Sequence, residues 1–277
     1  MASIGVFDSG FGGLTVLKKI LQKLPQYNYV YLADSARAPY GNRSKETIYT
    51  FTKQAVDFLF SKNCELIILA CNTASADALR RIQQEYLPKK YPGKKVLGVL
   101  IPGAQDAVAL TKNDTVGVIA TYATVQSNAF ERELHKLNTK IRVVQKACPL
   151  LVPLVESNEY ELPFAKTILK QYLTPLLKSN IDTLILGCTH YEILIPTIRS
   201  VIGKNIAIIA EGAVVAHRLS AYLDNHPEIE IKLTKNKNRL FYTTDVTSQF
   251  ETMGQLFLGS SFSAILTQWT ESIPNQS

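Results

Sequence analysis

The sequence predicts an α/β fold with mostly parallel sheets, and three observations carry that reading. Short apolar runs alternate with amphipathic stretches along the chain. The runs are rich in Val and Ile, as strands covered on both faces are. Part of the first half also recurs, in degenerate form, in the second. The strand-like runs are Ile4–Phe7, Tyr29–Ala33, Leu66–Ala70, Val96–Leu100, Val116–Ala120, Ile141–Val144, Leu184–Leu186 and Ile206–Ile209. Between them, Ile48, Phe51, Ala55, Phe58 and Leu59 fall on one helical face behind Ser44, a residue type suited to an N-cap. Phe164, Ile168, Tyr172 and Leu176 repeat that spacing before Asp182. Lys232, Lys235, Lys237 and Arg239 read as a solvated basic face near a late turn.

The repeat pairs Gly5-Val6-Phe7-Asp8-Ser9 with Gly117-Val118-Ile119-Ala120-Thr121. It also pairs the run ending in Ala70-Cys71-Asn72-Thr73 with the run ending in Gly187-Cys188-Thr189. Each half thus offers a first strand and, later, a strand that ends in Cys followed by polar residues.

At 277 residues the chain makes one large domain or two of ordinary size. Charged residues are 19% and hydrophobic residues 46%, which excludes a disordered, solvating chain. The net charge of +7 permits nucleic-acid binding without arguing for it, and it also suits a small acidic substrate. No apolar run approaches the ~18 residues of a membrane helix. The N-terminus carries no secretion signal and leads directly into a strand, so a cytoplasmic protein is expected. The cysteines, Cys64, Cys71, Cys148 and Cys188, form no CxxC pair and are expected as free thiols.

Ligands of open α/β sheets bind at the carboxyl ends of strands, where Cys71 and Cys188 stand. Each precedes an expected helix start, a position that lowers a thiol pKa. Cys64 and Cys148 read as packing. Two related halves facing one cleft would put one thiol on each side of a ligand. Inverting a stereocentre by proton exchange needs that arrangement, a base on one face and an acid on the other. Thiols suit both tasks because their pKa of ~8.5 is tunable. Asp8 ends the first strand near Cys71, and His190 follows Cys188 by two residues, where it can tune or relay a proton. Backbone amides around Ser9, Gly41, Thr73 and Thr189 can bind carboxylates at helix starts. A rival reading is a dinucleotide site, with Gly10-x-Gly12-x-x-Thr15 as fingerprint and Asp34 as ribose-binding acid. Thr15 replaces its third small residue, so the glycines are read as a tight turn that brings backbone close to a small anion.

Gly5-Val6-Phe7-Asp8-Ser9-Gly10-Phe11-Gly12-Gly13-Leu14-Thr15 resembles the opening motif of bacterial glutamate racemases. Ala33-Asp34, Pro39-Tyr40-Gly41, Ala70-Cys71-Asn72-Thr73-Ala74-Ser75, the stretch from Gly117 to Thr124, the stretch from Cys148 to Glu156, and Gly187-Cys188-Thr189-His190-Tyr191 extend the resemblance in family order. It implies interconversion of L- and D-glutamate for peptidoglycan synthesis, with no cofactor and no metal. It assigns the acid–base pair to Cys71 and Cys188, assisting roles to Asp8, His190 and Glu156, and substrate binding to Asp8, Ser9, Tyr40, Gly41, Asn72, Thr73, Thr124, Thr189 and His190. The fold it implies is two pseudo-symmetric α/β domains with the active site in the cleft between them. The expected division is 1–97 plus 210–277 for the first domain and 98–209 for the second. The expected partners are glutamate and a second copy in a homodimer, with neither membrane nor nucleic acid.

Glu192 stands where the family usually has Pro, and Glu211-Gly212 where an Asp-containing turn is common. Neither is expected to touch the cysteine pair. Only seven residues precede Asp8, so regulation through an N-terminal extension is not expected. The alternatives are an aspartate racemase of the same superfamily, a cysteine hydrolase using Cys188 with His190, and a non-catalytic two-lobed amino-acid binder. A hydrolase needs one thiol, a binder none and a racemase both.

Overall fold

The computed structural model describes residues 2–269, and for 248–251 the backbone alone. Among the described residues ten strands form two sheets in which every pairing is parallel. They are β1 (Ser3–Asp8), β2 (Tyr29–Ala33), β3 (Cys64–Leu69), β4 (Lys95–Gly98), β5 (Thr115–Ala120), β6 (Arg142–Ala147), β7 (Thr183–Gly187), β8 (Ala207–Ile209), β9 (Arg239–Thr243) and β10 (Ala264–Leu266). The six-stranded sheet runs β10-β9-β2-β1-β3-β4 and the four-stranded sheet β6-β5-β7-β8. The central strands β1, β2, β3, β5 and β7 are buried at every position, which is why they read as unbroken apolar runs.

The two sheets share one plan. Both place their first strand between the second and third, so β2-β1-β3-β4 matches β6-β5-β7-β8. The match extends to register: Gly5 pairs with Ile67 and Gly117 with Leu184, the offsets that superpose Cys71 on Cys188. The sequence repeat is therefore a repeat of fold. Gly5 and Gly117 hold equivalent, closely packed places. A Cβ on Gly117 would lie 2.6 Å from Ile181 Cδ1 and 2.9 Å from Leu176 Cδ2.

Several boundaries differ from the sequence reading. Val99 and Leu100 leave β4: Val99 has helical backbone and N-caps helix Leu100–Leu110. β9 and β10 went unrecognised because Arg239 and the lysines before it look like a turn, yet Arg239 opens β9 at the sheet margin. Lys232 pairs with Glu65 and Lys235 with Glu230, as suits a solvated basic face. Ser44 caps helix Lys45–Ser61 as expected, its hydroxyl accepting from Thr47 N–H, with Ile48, Ala55 and Leu59 buried. Helix Pro163–Lys178 is rotated from the predicted face. It buries Ala165, Leu169, Leu173 and Leu176 and leaves Phe164 exposed, because the aromatic rings made a stripe in sequence that Leu and Ala fill in space. No helix among the described residues is long and apolar enough to cross a membrane.

Replacing Gly117 by Ala should overpack the site and cost about 1–3 kcal/mol. A lowered urea midpoint at unchanged m-value is the expected outcome.

Candidate active site

Asp8 ends β1, Cys71 follows β3, Thr121 follows β5 and Cys188 follows β7. All four line one cavity, which therefore sits between the carboxyl ends of equivalent strands in the two sheets. Of the other expected residues, Ser9, Tyr40, Gly41, Asn72, Thr73, Glu156, Thr189 and His190 line the same cavity. Thr124 is the exception. It is fully buried one step behind, its hydroxyl 3.3 Å from Thr73 Oγ1 and 3.0 Å from Thr121 Oγ1. Thr121 and Val152 line the cavity without having been singled out. Thr121 was legible, since the repeat sets it opposite Ser9; Val152 carries no chemical signal.

The halves meet where glycines leave room. A Cβ on Gly12 would lie 2.4 Å from Thr189 Oγ1 and 2.5 Å from His190 Nδ1. One on Gly41 would lie 2.7 Å from Thr121 Cβ. The glycine-rich turn thus packs against the second thiol's loop and cannot cradle a pyrophosphate. Asp34 is equally unable to read a ribose. It is fully buried, and its carboxylate accepts from Arg37 Nε, Tyr40 Oη, Thr244 Oγ1 and Trp269 Nε1. The dinucleotide reading fails on both counts. The same Asp34 fixes the Tyr40 ring beside Gly41.

Each thiol has its own company. Cys71 N-caps helix Asn72–Asp77, with Ala74 N–H 3.5 Å from its sulfur, and its Sγ lies 3.5 Å from Ser9 Oγ. Cys188 Sγ lies 3.9 Å from His190 Nδ1, while His190 Nε2 is 3.1 Å from Glu156 Oε1. Phe11 and Phe257 pack against the imidazole and exclude water from it. Asp8 Oδ2 accepts from Gly10 N–H at 3.0 Å, and Asp8 Oδ1 is buried with no partner among the described residues.

The expectation of lowered thiol pKa values is overturned. Burial pushes Cys71 up to about 12, the Asp8 charge adds to that, and the N–H of Ala74 and the Ser9 hydroxyl only partly offset it. Cys188 also lies well above its ordinary value, from burial first, against one hydrogen bond from the His190 backbone. One helix-terminal N–H does not match the loss of water around a sulfur anion. Burial raises the Asp8 carboxyl too, while His190 and the N–H groups of Gly10 and Gly13 hold it down. Cys64 and Cys148 are buried thiols pushed up to about 12, consistent with packing. Among the described residues no cluster of three or more His, Cys, Asp or Glu is arranged to hold a metal ion.

The family model for Asp/Glu/hydantoin racemases matches residues 4–219. The chain belongs to the Asp/Glu/hydantoin racemase family. Within that family, a glutamate racemase of Lactococcus lactis subsp. cremoris is 42% identical over 256 residues, 92% of this chain and 91% of the relative. A glutamate racemase of Bacillus anthracis superposes with a TM-score of 0.88 at 39% identity, covering 96% of this chain and 97% of its own. The Francisella tularensis glutamate racemase, crystallised in complex with D-glutamate, also reaches 0.88 at 34% identity, over 97% and 98% of the two chains.

The raised thiols set a pH dependence for this racemase. Below about pH 8.5 they are neutral in the folded and unfolded chain alike. Above it the unfolded chain loses its thiol protons first, so stability falls as pH rises towards the folded value of about 12 for Cys71. Cys71→Ser should flatten that fall by up to ~1.4 kcal/mol per pH unit, read from urea unfolding at about pH 9 and 10.

Proposed function

We propose that the protein interconverts L- and D-glutamate by proton transfer between two thiols, Cys71 and Cys188, across a cleft between two domains. The observation that carries this reading is the placement of both thiols in one cavity, at superposable positions of two repeated sheets, each beside its own acid–base group. In the proposed L-to-D direction the Cys188 thiolate removes the α-proton from one face. The Cys71 thiol then gives its proton to the carbanion from the other face. The sulfurs exchange roles in reverse. This facial assignment rests on the family resemblance. Asp8 takes or returns the Cys71 proton, and His190, oriented by Glu156, serves Cys188.

Burial at both sulfurs strongly disfavours the thiolate at neutral pH. The thiolate therefore depends on positive charge arriving with the substrate, whose α-ammonium enters a site already lined by Asp8 and Glu156. The cavity, at about 30 Å³, is small for glutamate, and in the proposal the two halves part to admit it. We assign 1–97 plus 210–277 to the first domain and 98–209 to the second. Residue 1 and residues 270–277 lie outside the described part. Sheet membership supports the division, with β1–β4, β9 and β10 on one side and β5–β8 on the other. The proposal includes supply of D-glutamate for peptidoglycan synthesis and a cytoplasmic location. The proposal includes a homodimer, supported by Leu150, Leu162 and Phe164, apolar side chains exposed along one stretch of the second half. Light scattering should then give about twice 30.8 kDa.

Cys71→Ser and Cys188→Ser should each cut racemisation of L-glutamate by at least ~10²–10⁴-fold in both directions, followed by optical rotation. With β-substituted glutamates each variant should still eliminate from one enantiomer, and the two should prefer opposite enantiomers. Equal losses for both enantiomers in both variants would contradict separate bases. Turnover should withstand EDTA and hydroxylamine and fall on thiol alkylation.

A further inference from the structure

The two departures from the family pattern, far apart in sequence, meet in space. Glu192 Oε1 accepts from Gly212 N–H at 2.7 Å, a carboxylate at the start of helix Glu211–Asn225. Glu211 itself is buried at 2% exposure, and its Oε2 accepts from Asn72 Nδ2 at 2.6 Å. Asn72 directly follows Cys71, so Glu211 bonds the residue next to one of the two thiols. Two buried acceptors are left over in this contact: Glu211 Oε1 and Asn72 Oδ1 have no partner among the described residues.

We propose that Glu211 is a positioning residue for the Cys71 loop: as a neutral acid it closes a two-bond pair with the Asn72 amide, Asn72 Nδ2 donating to Oε2 and the acid O–H on Oε1 donating to Asn72 Oδ1. A carboxylate and an amide oxygen both only accept, so one proton satisfies two orphaned atoms at once. The surroundings favour that proton. Burial holds the Glu211 carboxyl well above its ordinary range; the Asn72 hydrogen bond lowers it, and the Glu192 charge raises it further. The groups facing it are Glu192 from the 189–192 turn, Asn72 from helix Asn72–Asp77, Gly103 from helix Leu100–Leu110, and Lys19 from helix Leu14–Lys23, which acts on Glu192. An ionised Glu211 would also make the Cys188 thiolate harder to form, and a neutral one does not. The pair links the chain just leaving β8 in one sheet to the loop after β3 in the other.

The role in catalysis rests on the two-thiol reading; the protonation does not. Infrared spectra of the whole protein at neutral pH should contain a protonated-carboxyl band that is lost in Glu211→Gln. Absence of that difference would overturn the neutral acid whatever the activity shows. Glu211→Gln, which can also close a two-bond pair, should keep kcat within about threefold of the parent. Glu211→Ala should lose more than about tenfold in kcat with a smaller change in KM. Equal losses in both variants, or no loss in Glu211→Ala, would overturn the positioning role. Should Glu211→Ala not fold, the infrared band and Glu211→Gln still decide.

Discussion

The cleft depends on two places where backbone meets side chain with no Cβ between them, Gly12 against Thr189 and His190, and Gly41 against Thr121. Each contact joins a loop following a strand of the six-stranded sheet to a loop following a strand of the four-stranded sheet. Their closeness leaves little room for solvent, and from that follow the raised thiols, the raised Asp8 carboxyl and the small cavity. A site this dry disfavours the charged forms of its thiols until a charged ligand replaces the missing water. In the proposed mechanism the reactive state is then assembled by the substrate rather than stored in the resting protein.

Symmetry explains why the pair exists, and its breakdown explains why the members differ. Duplicated sheets deliver two thiols to equivalent positions. The loops around them have diverged: Cys71 caps a helix beside Ser9 and Asp8, whereas Cys188 enters a short turn beside His190 and Glu156. In the proposed mechanism the two enantiomers are therefore deprotonated in unlike surroundings. Their individual rate constants need not match, although the equilibrium between mirror-image amino acids is fixed by symmetry.

The buried centre of the fold was legible because it has one periodicity and one composition. Every predicted run, from Ile4–Phe7 to Ile206–Ile209, overlaps a strand. β9 and β10 were not legible, being short strands of mixed polarity whose pairing comes from the sheet they join. The cysteines, Asp8 and His190 announced themselves by chemistry at strand ends. The contact between Glu211 and Asn72 did not, since nothing local to either places an acid from residue 211 against an amide at residue 72. The raised thiol values were also beyond sequence reasoning. A helix start is visible in a sequence, but the depth at which it is buried is not.

The most direct measurement follows the α-proton of L-glutamate by NMR during the first turnovers in D₂O. Two separate thiols predict that newly formed D-glutamate carries deuterium at the α-carbon, because its proton comes from the sulfur opposite the one that removed it. The remaining L-glutamate should keep its original proton at that stage. D-glutamate that retains the substrate's own α-proton would mean a single base serves both faces, and would contradict the account.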